Sequence, residues 1–187
     1  MSAAHTDLAA GMLLIASPQL LDENFCRSVI YLVEHSDDGS LGFIINRPLE
    51  LTLGDLWGDC PSGLSEAKAA ADGGPVERHK GLLLHRDPEI ADTAVMGHGI
   101  FIGGDLPQIA TRWILGPDHI GPRLFLGHSG WTSGQLAREV TSGAWLLRPG
   151  TSDLLGLVTD PTTGSDGDQL WQRLCHGPHG LPTPSLN

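Results

Sequence analysis

The strongest constraint on the fold is a pair of apolar, β-branched runs separated by one short turn. The first run extends from Ser28 to His35 and the second from Leu41 to Asn46. Asp37-Asp38-Gly39 lies between them and supplies turn chemistry, because glycine accepts a positive φ and aspartate tolerates it. The pattern predicts an antiparallel hairpin. Since both runs are apolar on both faces for most of their length, we expect the hairpin at a covered, central position in a sheet.

Two capping boxes predict helices in the second half of the chain. Asp105 with Gln108 begins the first helix, and Thr132 with Gln135 begins the second. The first helix has one continuous apolar face, formed by Leu106, Ile109, Ala110, Trp113 and Ile114. The residues from Gly127 to Trp131 are predicted to form a tight loop directly before the second helix.

Shorter patterns complete the predicted architecture. Further strands are expected at residues 12–16, 80–84, 99–102, 122–126 and 144–147. Short helices are expected at 52–57, with Thr52 as N-cap, and at 169–175, while a strand or helix near 154–158 precedes a loop at 163–168. This mixed order predicts one α+β domain over residues 1–187, with flexible ends at 1–10 and 177–187.

The charge balance disfavours direct binding of nucleic acid. The chain has 11 Lys and Arg against 22 Asp and Glu, a formal net charge of −11 at pH 7. Phosphate contacts need Lys and Arg, and here these residues are scattered and form no run of three. The two strong helices carry one arginine each, Arg112 and Arg138. A direct DNA-binding regulator is therefore the disfavoured hypothesis.

Other features indicate a cytoplasmic protein without a metal or cofactor. No stretch approaches about 18 consecutive apolar residues, so no membrane span is expected, and the N-terminus lacks the basic start of a secretory signal. The three cysteines, Cys26, Cys60 and Cys175, are far apart and form no CxxC pair. The nine histidines form no HxH or HxxxH pair, so no metal site is predicted.

Catalytic motifs are absent or incomplete. The chain has no GxxxxGK[ST] phosphate loop, and Gly127-His128-Ser129-Gly130 is one residue short of the GxSxG nucleophile elbow. An enzymatic function is therefore not favoured. A small-molecule-binding or hydrolase-like domain is the alternative hypothesis.

Turns at strand ends supply the candidate ligand-binding residues. Glycine there permits close approach of the backbone, either to a neighbouring strand or to a ligand. Arg47 could pair with an anionic group, Trp131 could stack on a ligand, and His85 or His128 could act as an acid–base group. The candidates are Asn46, Arg47, Pro48, Gly73, Gly74, Pro75, His85, His128, Ser129, Gly130 and Trp131.

An ordered series of motifs over residues 11–148 resembles the YqgE/AlgH family. The N-terminal part of the resemblance ends in Gly42-Phe43-Ile44-Ile45-Asn46-Arg47-Pro48-Leu49, and Gly73-Gly74-Pro75-Val76 follows. The remaining pieces are Leu13 to Pro18, Asp22 to Phe25, Arg27 to His35, Gly81 to His85, Gly127 to Trp131, Gly134 to Leu136 and Ala144 to Leu146. The family usually has Gly-Tyr-Ala-Gly-Trp where this chain has Gly127-His128-Ser129-Gly130-Trp131.

The resemblance implies a bacterial, cytoplasmic α+β protein whose mixed, largely antiparallel sheet is branched or barrel-like and is flanked by helices. It supplies no established catalytic residues. Family members are often labelled transcriptional regulators, after one member tied to control of the exopolysaccharide alginate. Together with the acidic charge, this predicts an indirect regulatory role through a protein partner or a small-molecule ligand.

Overall fold

A curled sheet in the form of a half-barrel organises the protein. The computed structural model describes residues 8–67, 69–115, 122–150 and 166–176. The strands found there are β1 (Leu13–Ala16), β2 (Val29–Ser36), β3 (Gly39–Ile44), β4 (Ala70–Asp72), β5 (Val76–His85), β6 (Thr93–Gly97), β7 (Ile100–Gly103), β8 (Arg123–Thr132) and β9 (Trp145–Arg148). The helices are α1 (Leu53–Leu56), α2 (Leu106–Leu115), α3 (Gln135–Thr141) and α4 (Gly167–His176).

The sheet is branched at β8. The strand order is β6-β7-β5-β8-β3-β2-β1-β9, with each neighbouring pair antiparallel, and β4 adds to β8 in parallel. The first half of β8 lies between β5 and β4, while its second half pairs with β3 through Ser129 to Thr132. This mixed, largely antiparallel sheet with flanking helices confirms the predicted α+β fold.

The predicted hairpin is confirmed as β2 and β3. Tyr31 lies opposite Phe43, and His35 lies opposite Ser40 near the turn. β1 covers the free edge of β2, and β8 covers that of β3. Both strands are therefore central, and the residues from Val29 to Val33 are buried, as expected of strands that are apolar on both faces.

Two apolar clusters form the core. The larger one lies along β1, β2 and β3, where α4 packs with Trp171 and Leu174. In the smaller cluster, α1 and α2 pack against β5, through the buried residues Leu53 of α1, Ile109 of α2 and Leu83 of β5. Three residues of the apolar stripe predicted for α2, Leu106, Ile109 and Ala110, thus pack in this second cluster, separate from the cluster of the hairpin.

The helix starts follow the predicted capping patterns in part. The helix predicted at 52–57 is confirmed, and Thr52 caps it: its Oγ1 accepts a hydrogen bond from the Asp55 backbone N–H at 3.2 Å. Before α2, Asp105 accepts from the Gln108 backbone N–H at 2.7 Å, but the Gln108 side chain accepts from the Ala91 N–H. The helix predicted to begin at Thr132 is α3, and it begins at Gln135, three residues later than predicted.

The predicted tight loop at Gly127–Trp131 is wrong, because β8 continues through Thr132. Residues 123, 125, 127, 129 and 131 are all buried, which is the period of a strand. Small inward residues hide that period from a pattern based on apolar side chains. Strands β4 and β6 were not predicted, and β5 is longer than the predicted 80–84.

Several predictions lie outside the described residues: the element at 154–158, the first half of the loop at 163–168, and the ends at 1–7 and 177–187. The second half of that predicted loop is described, and there α4 begins at Gly167, two residues before the predicted helix start. The helix predicted at 169–175 is confirmed by α4. Within the described ranges, no helix has the length and apolar character needed to cross a membrane.

Candidate functional site

A groove opens where the segment before β2, the segment after β3 and the start of α4 meet. Its volume is about 820 Å³, within the roughly 300–1,000 Å³ typical of small-molecule sites. Leu21 at its wall is 83% exposed. The lining residues are Leu21, Cys26, Arg27, Asn46, Arg47, Pro48, Asp166, Gly167 and Asp168. Three of the predicted ligand-binding residues, at positions 46–48, therefore share one cavity.

Asn46 joins the segments that form the groove. Its side-chain oxygen accepts from the Val29 backbone N–H at 2.8 Å. Its amide nitrogen donates to the backbone carbonyls of Arg27 and Gly167, both at 2.9 Å. The side chain is buried, and these bonds use both of its amide hydrogens. Asn46 thus has a structural role, because its hydrogen bonds hold the start of α4 against the hairpin.

Arg47 presents hydrogen-bond donors to the groove. Its side chain is about three-quarters buried and lies along the wall. Nη2 donates to the Cys26 carbonyl at 3.3 Å, and Nη1 lies 4.0 Å from the Asp72 carboxylate, which is too far for a hydrogen bond. A guanidinium has five N–H groups, so most of them have no protein acceptor among the described residues.

Arg27 also lines the groove. Its guanidinium lies 2.8 Å from Asp168 and 5.8 Å from the centre of the Trp171 ring, so it ties the loop before β2 to α4. Both partners of this ion pair are more than half exposed, so the pair adds little stability by itself. No local pattern in the sequence predicts a site at Arg27 or Asp168, because 141 positions separate the two residues.

Gly73 and Gly74 pack against β8 and not against the groove. A Cβ at Gly73 would lie 2.3 Å from the Gly127 carbonyl oxygen, and one at Gly74, where φ is +144°, would lie 2.4 Å from the His128 carbonyl oxygen. Gly73 also bridges two strands, since its N–H donates to Leu126 and its carbonyl accepts from Ile44. Here the close approach that glycine permits is to a neighbouring strand, at the branch of the sheet; Pro75 follows directly.

Trp131 belongs to an aromatic cluster and offers no open face. Its ring stacks on Phe25 at 6.1 Å and meets Trp145 edge-on at 6.1 Å. Both indole N–H groups donate to the same oxygen of Glu139, at 2.9 and 2.8 Å. The other Glu139 oxygen accepts from Gln135 at 2.9 Å. The tryptophan therefore fixes α3 to the sheet.

The other predicted residues on β8 do not form a catalytic pair. Ser129 is buried, and its hydroxyl donates to the Gly73 carbonyl at 3.3 Å. His128 and Ser129 are successive residues of a strand, so their side chains point to opposite faces. Gly130 is exposed on that strand. The described residues contain no group of three His, Cys, Asp or Glu that could hold a metal ion.

His85 lies at the far side of the sheet, away from the groove. It is 2% exposed, its ring stacks on Phe101 at 5.6 Å, and Nδ1 accepts from the Asp87 backbone N–H at 3.2 Å. Burial holds the pKa of His85 below its ordinary value of 6.5. Burial therefore disfavours the charged form of the ring in the folded protein. Ligand binding by the predicted residues outside the groove stays a prediction.

We expect His85 to make the fold acid-sensitive. Because its pKa is lower in the folded than in the unfolded state, the unfolded chain takes up this proton first. The stability contributed by neutral His85 is complete above pH 6.5 and declines as the pH falls from 6.5 toward the folded-state pKa. Urea unfolding at several pH values should show wild type losing stability relative to His85→Phe over that window. Parallel pH curves for the two proteins would contradict this assignment.

Relatives of known sequence match most of the chain. A family model described as AlgH-like matches residues 13–178. A UPF0301 protein from Myxococcus xanthus is 35% identical over 178 residues, covering 91% of each chain. A UPF0301 protein from Chlorobium phaeobacteroides is 37% identical over 153 residues, covering 79% of each.

Solved structures match the same architecture. The solution structure of AlgH from Pseudomonas aeruginosa superposes with a TM-score of 0.65 at 27% identity, covering 91% of this chain and 93% of that one. Protein DIP2367 from Corynebacterium diphtheriae gives a TM-score of 0.73 at 24% identity, covering 97% and 93%, and shows the shared fold. With the motifs at the hairpin and at the branch of the sheet, these matches establish that the chain belongs to the AlgH-like family.

Proposed function

We propose that this protein is a cytoplasmic regulator that acts indirectly, by binding a small molecule in the groove beside Arg47, and that it does not read DNA itself. The observation that carries the proposal is the groove, in which an exposed leucine, Leu21, and a guanidinium with unfilled donors, that of Arg47, line one cavity of about 820 Å³. An apolar wall with one convergent polar group is the usual composition of a ligand site.

The surface chemistry of the helices argues against direct readout of DNA. Each of the four described helices carries at most one Lys or Arg, whereas a helix that enters the major groove needs several. Arg112 of α2 is already occupied by Asp87 and Glu89. The formal charge of −11 opposes approach to a phosphate backbone as well.

The free cysteine thiols are consistent with a protein that works in a reducing compartment. All three cysteines, Cys26, Cys60 and Cys175, are free, and they are respectively exposed, partly buried and buried. Disulfides are common in oxidising compartments and rare in the cytoplasm. A cytoplasmic site of action is consistent with this chemistry.

The proposal predicts that the isolated chain binds DNA only weakly. In a filter-binding or mobility-shift titration at low salt, where electrostatic binding is strongest, promoter fragments should compete no better than unrelated DNA. Sequence-specific binding with a Kd below about 1 μM, tighter than typical non-specific binding, would overturn the proposal.

A further inference from the structure

Arg47, which lines the groove, also belongs to a cluster of three charged side chains with Asp72 and Arg78. The carboxylate of Asp72 lies between two arginines, with one oxygen 4.0 Å from Arg47 Nη1 and 3.9 Å from Arg78 Nη2. Both distances exceed that of a hydrogen bond. The two nitrogens share one neighbouring oxygen, so they lie no more than about 8 Å apart. A group that reaches between them can therefore contact both guanidinium groups.

The backbone holds Asp72 and Arg47 in place. The Asp72 N–H donates to the Arg47 carbonyl at 2.9 Å, and the Asp72 Oδ1 accepts from the Gly74 N–H at 3.2 Å. Arg78, in contrast, lies on an exposed bulge of β5 between Val76 and Gly81, where the pairing with β8 shifts register. The Arg47 guanidinium is further held by its bond to the Cys26 carbonyl, whereas the exposed side chain of Arg78 can adjust to a bound group.

Two guanidinium groups and one carboxylate carry a local charge of +1, which one negative charge would neutralise. We propose that Arg47 and Arg78 bind the carboxylate of a small amphipathic acid, whose apolar part lies in the groove against Leu21 and Pro48. The proposal rests on the function proposed above and names the class of ligand. Arginine pairs with carboxylates through two parallel N–H···O bonds, and the apolar wall stabilises a hydrocarbon chain.

The same charges disfavour more highly charged ligands. A phosphate dianion would exceed the local charge of +1 and leave a net negative charge next to the Asp72 carboxylate. A polyanion would in addition meet the field of the whole acidic chain. A monoanionic carboxylate is the group that the cluster accommodates without excess charge.

Titration calorimetry of the full chain tests this ligand class with octanoate as the probe and octanamide and octyl phosphate as comparisons. We expect octanoate to bind and octanamide, which has the same chain without the charge, to bind at least about tenfold more weakly. Octyl phosphate should also bind more weakly than octanoate. Equal binding of octanoate and octanamide, or tighter binding of octyl phosphate, would overturn the proposal.

Variants separate recognition from a structural effect. Arg47→Gln should weaken octanoate binding about tenfold and Arg78→Gln severalfold. Arg138→Gln, at an exposed position of α3, is the control and should change nothing. Asp72→Asn keeps the acceptor for Gly74 but removes the competing charge, so it should tighten binding, a gain that mere damage to the fold would not produce. Unchanged affinity in Arg47→Gln, or weaker binding in Asp72→Asn, refutes the assignment even if the protein regulates through another ligand of the groove.

Discussion

Replacing Glu139 by alanine is expected to lower the free energy of unfolding by about 2–5 kcal/mol, because it leaves two buried indole N–H groups without an acceptor. Trp131 and Trp145 are each at most 5% exposed, so their indole N–H groups have little access to water. A buried donor without a partner costs the desolvation energy of that group, which exceeds the net value of the bond that it lost. Urea unfolding followed by circular dichroism measures the change.

Two further variants identify the cause. Glu139→Gln retains an oxygen that can accept from both indoles but places an amide opposite the Gln135 amide, so we expect about half of the loss seen in Glu139→Ala. Glu89→Ala removes an exposed carboxylate paired with Arg112 and should change stability by less than about 1 kcal/mol. Equal stability of Glu139→Ala and Glu89→Ala would show that the carboxylate does not bind the tryptophans.

The second large effect is expected at the branch of the sheet. Gly73→Ala should lower the free energy of unfolding by at least about 3 kcal/mol or prevent folding, because the new Cβ would lie 2.3 Å from the Gly127 carbonyl oxygen. The clash is with backbone, which cannot rotate away. β3, β4 and β8 meet through the hydrogen bonds of this residue, so relief of the clash must separate strands.

Gly58→Ala is the matched control for this substitution. Gly58 is exposed, has no heavy atom within 4 Å of a Cβ built on it, and lies in a turn after α1. Its stability should change by no more than about 0.5 kcal/mol. Thermal unfolding of the two variants under one condition compares them. A Gly73→Ala protein as stable as Gly58→Ala would contradict the packing described at the branch.

The central hairpin and the helix starts could be predicted from the sequence because their signals are local. β2 and β3 combine apolar, β-branched residues and a glycine-containing turn within 20 residues, and Thr52 lies three residues from the Asp55 that completes its cap. The second half of β8 gave the opposite signal. Its inward positions include Gly127 and Ser129, two small residues, because β4 and Gly73–Gly74 approach the strand closely there. Small residues required by this tertiary packing gave the sequence the appearance of a loop.

The candidate site was predicted only in part. Asn46, Arg47 and Pro48 could be singled out because they end a strand. Leu21, Asp166 and Asp168 come to the same groove from distant parts of the chain, and no spacing rule connects them. Trp131 was predicted as a ligand-stacking residue, but its two ring neighbours, Phe25 and Trp145, lie 106 positions before it and 14 after it in the chain.

The most direct test of the proposed function is a transcript profile of cells that lack this protein, complemented with wild type or with a groove variant. Leu21→Asp combined with Arg47→Gln changes the groove but leaves the core intact, so the variant should fold with a melting temperature close to that of wild type. We predict that wild type restores the transcript levels and that the folded groove variant does not. Full restoration by the groove variant would contradict the claim that regulation depends on a ligand bound there.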